Sequence, residues 1–337
     1  ELAPRLRSLA LLAKSAGMGL NVDAEEADRL AISMDVIEEV LSEPALAGWD
    51  GFGVVVQAYG QRAGDAIELL NALATRLDRR IMVRLVKGAY WDTEIKLAQA
   101  EGLTSYPVFT RKQHTDISYL ACARALLAAG DVVYPQFATH NAHTLASILH
   151  FAGSTGNYEF QRLHGMGEEL YDEVVDPQKY GKPCRVYAPV GSHRDLLPYL
   201  VRRLLENGAN SSFVNQIVDE DVPPEVVAAD PFEQLLGIAQ NIPTGPDLYH
   251  PERANSKGFD LTHTPTLVAI ENARAPLKDH KWAAAPLLAR PAEPLAPQSS
   301  VNPANTSDTP GTVAAASERD IETALENATP WNVDADE

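Results

Sequence analysis

The segment that decides the fold is Ile81-Met82-Val83-Arg84-Leu85-Val86-Lys87-Gly88-Ala89-Tyr90-Trp91-Asp92. Its apolar residues are typical of a parallel strand buried on both faces, but Arg84 interrupts them, and arginine is almost never fully buried without a partner. A polar or anionic ligand at this strand would explain the cation. Gly88 would then let the ligand approach the backbone, and a helix starting near Trp91 could bind a phosphate at its N-terminus. A salt-bridged core arginine before an ordinary turn explains the segment equally well.

Apolar runs of this kind recur along the chain with helical patterns between them. They are residues 18–22, 52–58, 81–86, 132–138, 158–163 and 185–189. Such alternation is typical of a parallel α/β architecture. Each run ends in polar or glycine-rich residues, and reactive groups at strand C-termini are typical of a TIM barrel or a doubly wound sheet. Because no glycine-rich dinucleotide motif follows the first run, the sequence favours the barrel.

The strand pattern also predicts how the chain is organised. A complete barrel has eight strands, whereas six are visible here, and the chain opens inside a helical pattern at residues 2–13. We therefore expect an N-terminally truncated barrel over residues 1–215, with two strand–helix units missing before it. Residues 216–300 are rich in proline, which predicts an irregular covering segment and linker. A new strand and helix pattern over residues 301–337 is expected to be the severed start of a further domain.

Composition limits the class of protein and its partners. The chain has 337 residues, a hydrophobic content of 45% and a formal net charge of −18, so it is expected to be globular and to bind no nucleic acid. No apolar run approaches the roughly 20 residues that span a bilayer. Cys122 and Cys184 belong to no paired metal or redox motif, which favours a cytoplasmic location.

Two adjacent arginines are candidates for binding a carboxylate. A helix expected over residues 195–207 places Arg202, Arg203 and Glu206 on one face, opposite an apolar face. Paired guanidinium groups can bind a carboxylate through charge-assisted hydrogen bonds. A solvated charged face with one salt bridge is the alternative, and the helix alone favours that alternative.

A metal centre is a further alternative, because four potential ligands lie at strand ends: Glu25, His140, His143 and His164. His140 and His143 lack the same-face spacing of a helical metal-binding pair, so hydrogen-bonded histidines of the scaffold are favoured and no metal is expected. Asp23 and Glu25 are a candidate acid/base pair. Four aromatic side chains either stack on a planar ligand or belong to the core: Tyr90, Trp91, Tyr187 and Phe213.

Seven motifs, taken in order, resemble the proline dehydrogenase domain of the bifunctional proline-utilisation enzymes. They are residues 21–26, 56–59, 84–92, 134–141, 163–167, 187–191 and 199–207. The resemblance covers roughly residues 1–260, and residues 301–337 are similar to the start of the aldehyde dehydrogenase that is the second enzyme of those proteins. It implies a distorted (βα)8 barrel of TIM type that holds FAD at the strand C-termini, with its last helix over the barrel mouth.

The resemblance also implies roles for individual residues. Arg84 matches an arginine near flavin N5, Gln57 matches the residue that binds the pyrimidine edge of the flavin, and Asp23 matches an acid near flavin and substrate. The implied catalytic residues are Asp23, Arg84, Tyr187, Arg202 and Arg203. Of these, Arg202 and Arg203 would bind the carboxylate of L-proline. The implied substrate pocket comprises Ala89, Tyr90, Leu163, Tyr187, Arg202 and Arg203. The implied cofactor-binding residues are Asp23, Ala24, Gln57, Arg84, Val86, Lys87, Gly88, Ala89, Trp91, Thr110, Thr139, His140, Asn141, Gln161, Arg203, Glu206 and Phe213.

The implied reaction is hydride transfer from a ring carbon of L-proline to flavin N5, giving 1-pyrroline-5-carboxylate. The resemblance further implies a quinone as electron acceptor, peripheral contact with the inner face of the membrane, compatibility with a homo-oligomer, and NAD for the aldehyde dehydrogenase. The family also uses a lysine and a gating carboxylate on segments that would lie upstream of Glu1. Two alternatives stay open, a non-catalytic flavin-binding fragment and a metal-dependent TIM-barrel enzyme.

Overall fold

Six parallel strands in chain order form the main sheet of the computed structural model. They are β1 (Leu20–Val22), β2 (Phe52–Gln57), β3 (Ile81–Val86), β4 (Val133–Ala138), β5 (Glu159–Leu163) and β6 (Cys184–Tyr187). Each strand pairs with the next along the chain, and the sheet curls as in the wall of a TIM-type barrel. The predicted fold class and the six predicted strands are therefore confirmed.

The structure describes residues 1–153, 156–208, 223–235 and 242–329. They fall into two compact units, Glu1–Thr262 and His263–Glu337. Within the described residues no helix is both long and apolar enough to cross a membrane. The expected division at residues 215/216 and 300/301 stays a prediction.

Helices follow the strands of the first unit as the apolar spacing predicts. They are α1 (Leu2–Ser15), α2 (Leu30–Leu41), α3 (Ala63–Arg76), α4 (Trp91–Ala100), α5 (Lys112–Ala128), α6 (Ala142–Ala152), α7 (Glu168–Val175), α8 (His193–Gly208) and the single turn α9 (Pro224–Val227). The main core lies between the sheet and the apolar faces of these helices.

The two faces of β3 differ in burial. In β3, Val83 and Leu85 are fully buried on the helix side, whereas Arg84 lies half-buried on the concave side. The expectation that this strand is buried on both faces is therefore wrong, because alternate residues of a strand point to opposite faces. In β3 only the helix side is fully buried, and the other side carries Arg84, whereas in β2 both faces are buried.

The second unit contains α10 (Thr264–Arg274), β7 (Trp282–Ala284), β8 (Gln298–Ser300), β9 (Gly311–Val313) and α11 (Glu318–Glu326). The strand and helix predicted after residue 301 correspond to β9 and α11, and Ser317 and Asp320 form a capping box at the start of α11. Four regular elements lie within residues 216–300, where irregular structure is expected: α9, α10, β7 and β8. Three-residue strands are too short to show periodicity, and Pro265 is tolerated in the first turn of a helix.

Candidate active site

Arg84 is bound from two sides at the concave face of the sheet. Its Nη2 donates to Asp23 Oδ1 at 2.9 Å, and its guanidinium carbon lies 5.4 Å from the centroid of the Tyr187 ring. Arg84 Nε is buried and has no hydrogen-bond partner among the described residues. The cation in the apolar strand is thus paired with one carboxylate, and its Nε is unpaired among the described residues.

The loop after β1 brings Asp23 to this cation. The Asp23 side chain is 76% exposed, so the ion pair lies at the rim of the site and not within the core. Gln57, at the end of β2, donates from Nε2 to the carbonyl oxygen of Glu25 at 2.6 Å. This hydrogen bond fixes the amide of Gln57 beside the same loop.

Two tyrosines at the site stay protonated at neutral pH. Burial raises the pKa of Tyr187, against the opposing charges of Arg84 and Arg203. Burial also raises the pKa of Tyr90, with Glu25 and Asp23 adding to the increase and Arg202 opposing it. The charges of Arg202 and Arg203 on α8 thus act on Tyr90 and Tyr187, respectively.

His140 follows β4 and is held neutral. Burial, together with the positive charges of Arg162 and Arg203, lowers its pKa to about 4. Its Nε2 accepts the backbone N–H of Leu163 at 3.2 Å, so the ring proton lies on Nδ1. His140 therefore offers a donor to a ligand. Across the described part of the chain no group of three or more His, Cys, Asp or Glu side chains converges as a metal site would require.

Gln161 is oriented by a buried carboxylate that sequence reasoning missed. Gln161 Nε2 donates to Glu159 Oε1 at 2.8 Å, and Gln136 Nε2 donates to the same oxygen at 2.8 Å. Arg185 adds two hydrogen bonds of 2.8 Å through Nε and Nη2. Burial alone would raise the pKa of Glu159, but these hydrogen bonds lower it below its usual range. A charge inside an apolar strand was the available signal, the same one that identified Arg84.

Lys87 forms an ion pair with a residue of α5. Its ammonium group forms an ion pair with Asp116 of α5, whose other oxygen accepts Lys112 Nζ at 2.9 Å. Burial lowers the pKa of Lys87, and Asp116 opposes that decrease. The charge of Lys87 is thus paired within the protein. The expected contact between Lys87 and a cofactor stays a prediction.

The ring of Tyr59 leaves no space for a side chain at Gly88. Its φ is +128°, and a Cβ atom there would lie 2.5 Å from the Tyr59 ring. The expected close approach at Gly88 is thus made by Tyr59 in this structure. Trp91 is also engaged within the protein, since its indole N–H donates to the Phe109 carbonyl oxygen at 2.9 Å.

The turn after β4 has a local structural role. Asn141 is the N-cap of α6, where its Oδ1 accepts the Thr144 backbone N–H at 2.8 Å. Thr139 is buried, and its Oγ1 accepts the Asn141 N–H at 3.1 Å. These bonds fix the backbone on which His140 lies.

The remaining predicted residues lie at or beside strand ends. Ala24 follows β1, Val86 ends β3, Ala89 precedes α4, Leu163 ends β5 and Thr110 precedes α5. Phe213 and the side chain of Glu206 lie outside the described residues. Most of the other predicted residues lie at or just after the C-terminal ends of strands or on α8, whereas Arg84 and Gln161 lie within β3 and β5 and Thr110 lies just before α5.

Three comparisons with known proteins are consistent with one another. The proline dehydrogenase family model matches residues 1–216. The bifunctional protein PutA of Klebsiella aerogenes is 52% identical to this chain over 344 residues, covering 97% of this chain and 26% of that protein. This chain therefore spans about a quarter of the length of that curated relative.

Solved structures give the same result. A crystal structure of a bifunctional proline utilization A protein has 51% sequence identity and a TM-score of 0.78, covering 84% of this chain and 29% of that one. The proline utilization A protein of Bdellovibrio bacteriovorus, solved after inactivation by N-propargylglycine, has 29% identity and a TM-score of 0.81. That likeness covers 96% of this chain and 34% of the other.

Proposed function

Because this chain belongs to the proline dehydrogenase family, we propose that it oxidises L-proline to 1-pyrroline-5-carboxylate with FAD as cofactor. The observation that carries the proposal is the environment of Arg84. Its guanidinium group lies between Asp23 and the Tyr187 ring, and its buried Nε has no partner among the described residues. A cation with an unused donor is suited to stabilise negative charge that develops on a bound group.

The residues at the strand ends fit FAD. This cofactor supplies the acceptor for a hydride when it is bound. Arg84 would place a fixed positive charge beside the reduced ring, and His140 would donate from Nδ1 to a cofactor oxygen. Four further side chains with hydrogen-bonding groups would take part: Gln57 at the end of β2, Thr110 before α5, Asn141 after β4 and Gln161 within β5. This set of donors and acceptors is suited to a long ligand with many oxygens.

The substrate side fits a small amino acid with one carboxylate and an apolar ring. Arg202 and Arg203 would bind the carboxylate, since two guanidinium groups give charge-assisted hydrogen bonds with defined direction. Tyr90 and Tyr187 would flank the ring as neutral phenols, and Leu163 would exclude water from it. Asp23 would hold Arg84 in place from the rim.

The wider reaction is proposed from the resemblance. We infer that the electrons pass to a quinone, with peripheral contact of a cytoplasmic protein with the membrane. Residues 301–337 are proposed to begin an aldehyde dehydrogenase domain that uses NAD, supported by the strand and helix found at Gly311–Val313 and Glu318–Glu326. Residues 1–215 are proposed as the proline dehydrogenase barrel and residues 216–300 as a covering segment and linker.

The test uses the chain reconstituted with FAD. We expect the visible flavin absorption to persist through gel filtration and to be bleached by L-proline without oxygen. Arg203→Met should weaken flavin retention much less than the response to L-proline. The L-proline concentration needed for bleaching should rise at least about tenfold, because the loss of a charged hydrogen bond costs roughly 1.5–3 kcal/mol. Arg194→Met is the matched control, since Arg194 is an exposed arginine in the first turn of the same helix.

Three outcomes would contradict the proposal. A chain that retains no flavin would exclude the FAD role. Retained flavin that L-proline does not bleach would instead support a non-catalytic flavin-binding protein. Equal loss of flavin and bleaching in Arg203→Met would show that Arg203 does not act on the substrate carboxylate.

A further inference from the structure

Glu94 is a buried carboxylate that the proposed reaction does not use. It lies in the first turn of α4 and is 3% exposed. Its Oε1 accepts the backbone N–H of Ala27 at 2.6 Å. Burial raises the pKa of Glu94, and the hydrogen bond from Ala27 opposes the increase. Since burying a carboxylate costs free energy unless it is hydrogen-bonded, the contact with Ala27 compensates part of that cost.

Ala27 is also bound through its carbonyl group. Arg62 Nη2 donates to the Ala27 carbonyl oxygen at 2.7 Å. Both hydrogen-bonding groups of this one residue are therefore held by side chains from elsewhere, because Arg62 immediately precedes α3 and Glu94 belongs to α4. We call Glu94 and Arg62 the Ala27 clamp.

The clamped residue ends the loop that carries the partner of Arg84. Residues 23–26 have no regular structure and connect β1 to a short 3₁₀ helix, Ala27–Arg29. The Asp23 side chain is 76% exposed, so little packing holds it in place. Its position therefore depends on the backbone of the loop, which is fixed by the Ala27 clamp and by the hydrogen bond from Gln57 to Glu25.

We propose that the Ala27 clamp is a positioning device that keeps Asp23 against Arg84 and thereby sets the net charge beside the Arg84 guanidinium group. Glu94 and Arg62 act through the loop and touch neither substrate nor cofactor. The proposal concerns this chain's own residues, and only its electrochemical test rests on the proposed function.

The direction of the effect follows from charge. Asp23 offsets part of the positive charge of Arg84, and an unclamped loop would let that carboxylate move away. Arg84 would then stabilise a negatively charged reduced flavin more strongly, which raises the midpoint potential. A residue that merely stabilises α4 would lower the unfolding free energy without producing this shift.

The first experiment is hydrogen exchange of the whole 337-residue chain without flavin. We expect Glu94→Ala to accelerate exchange of the amides of residues 24–29 at least about tenfold, because one lost hydrogen bond near 1.4 kcal/mol changes a local opening equilibrium by that factor. Glu94→Gln should restore most of the protection, since the amide oxygen still accepts. Asp92→Ala, which removes an exposed acid from the same turn, should leave this exchange unchanged.

Unchanged exchange in Glu94→Ala would overturn the clamp. If Glu94→Ala does not fold, Arg62→Met tests the other half, because it removes only the donor to the Ala27 carbonyl oxygen. Faster exchange of the loop in Arg62→Met supports the clamp, and exchange equal to that of the unsubstituted chain overturns it.

The second experiment is a double-mutant cycle of flavin midpoint potentials with Asp23→Ala and Glu94→Ala. We expect both single variants to raise the potential, and the double variant to match Asp23→Ala alone, because Glu94 acts only through Asp23. Additive shifts would overturn the positioning role. A chain that binds no FAD would refute the proposed function instead, and the exchange experiment would still decide the clamp.

Discussion

Gly88 is the residue at which backbone and packing constraints coincide. Its φ of +128° is one that side-chain-bearing residues rarely adopt, and the Tyr59 ring occupies the space of a Cβ atom. We predict that Gly88→Ala lowers the unfolding free energy by about 2–4 kcal/mol, the sum of backbone strain and overpacking. Urea denaturation measures the loss.

Gly64→Ala is the matched control, because Gly64 lies inside α3 with nothing within 4 Å of an added Cβ. That change should stabilise the chain by roughly 0.4–1 kcal/mol. Combining Gly88→Ala with Tyr59→Leu should recover the packing part of the loss and leave the backbone part. Equal effects of alanine at the two glycines would contradict the strain at Gly88.

Protonation of His140 makes the stability of the folded chain depend on pH, and this dependence can be measured without cofactor. Its pKa is about 4 in the folded chain, against about 6.5 in an unfolded one. The unfolded chain therefore binds more protons below about pH 6.5, and stability falls as the pH drops from there towards about 4. We predict a loss of at most about 2 kcal/mol between pH 7 and about pH 5 that His140→Asn abolishes.

The control for this prediction is His193→Asn, which changes an exposed histidine at the start of α8. It should keep the pH dependence of the unsubstituted chain. If the stability of His140→Asn also keeps this pH dependence, the neutral ring of His140 is not the cause of it.

At the scale of elements, Glu159 connects three neighbouring strands, since it lies in β5 and accepts hydrogen bonds from Gln136 of β4 and Arg185 of β6. Its lowered pKa stabilises the folded chain above the unfolded pKa of about 4.3, and this contribution is lost as the pH falls through the folded pKa. We predict that Glu159→Gln costs about 1–3 kcal/mol at neutral pH and flattens the acid limb of the stability profile.

Glu173→Gln is the comparison for that prediction. Glu173 forms a salt bridge of 3.0 Å with Lys179 and is 62% exposed, so its loss should cost less than about 1 kcal/mol. Urea midpoints at neutral and acid pH measure both variants. Equal losses would show that the contacts of Glu159 contribute no more than a surface ion pair.

Some features of these elements could be predicted from the sequence, and others could not. The predicted strand at residues 81–86 matches β3 because its apolar run is short and bounded by charged residues and Gly88. Arg84 could be recognised because a cation conflicts with that run. Glu94 could not, since an acid in the first turn of a helix is expected to be exposed and to favour the helix dipole. Its burial arises from Ala27, 67 residues away in sequence.

At the scale of the whole molecule, all described site residues belong to the unit Glu1–Thr262. The second unit has its own three-stranded sheet and helices. We therefore predict that a chain ending at Thr262 binds FAD and is bleached by L-proline as the 337-residue chain is. A chain ending at Ser192 lacks α8 and with it Arg202 and Arg203, so it should lose the response to L-proline. Flavin absorption during anaerobic titration measures both.

The two truncations separate a local site from one that depends on the entire chain. If the site is built from strand ends and α8 alone, removing residues 263–337 leaves the L-proline concentration at half-bleaching unchanged, because no group that binds the carboxylate has been removed. Cooperative urea unfolding of the shorter chain is the control for folding. A shorter chain that unfolds cooperatively but no longer responds to L-proline would show that residues beyond Thr262 contribute to the site.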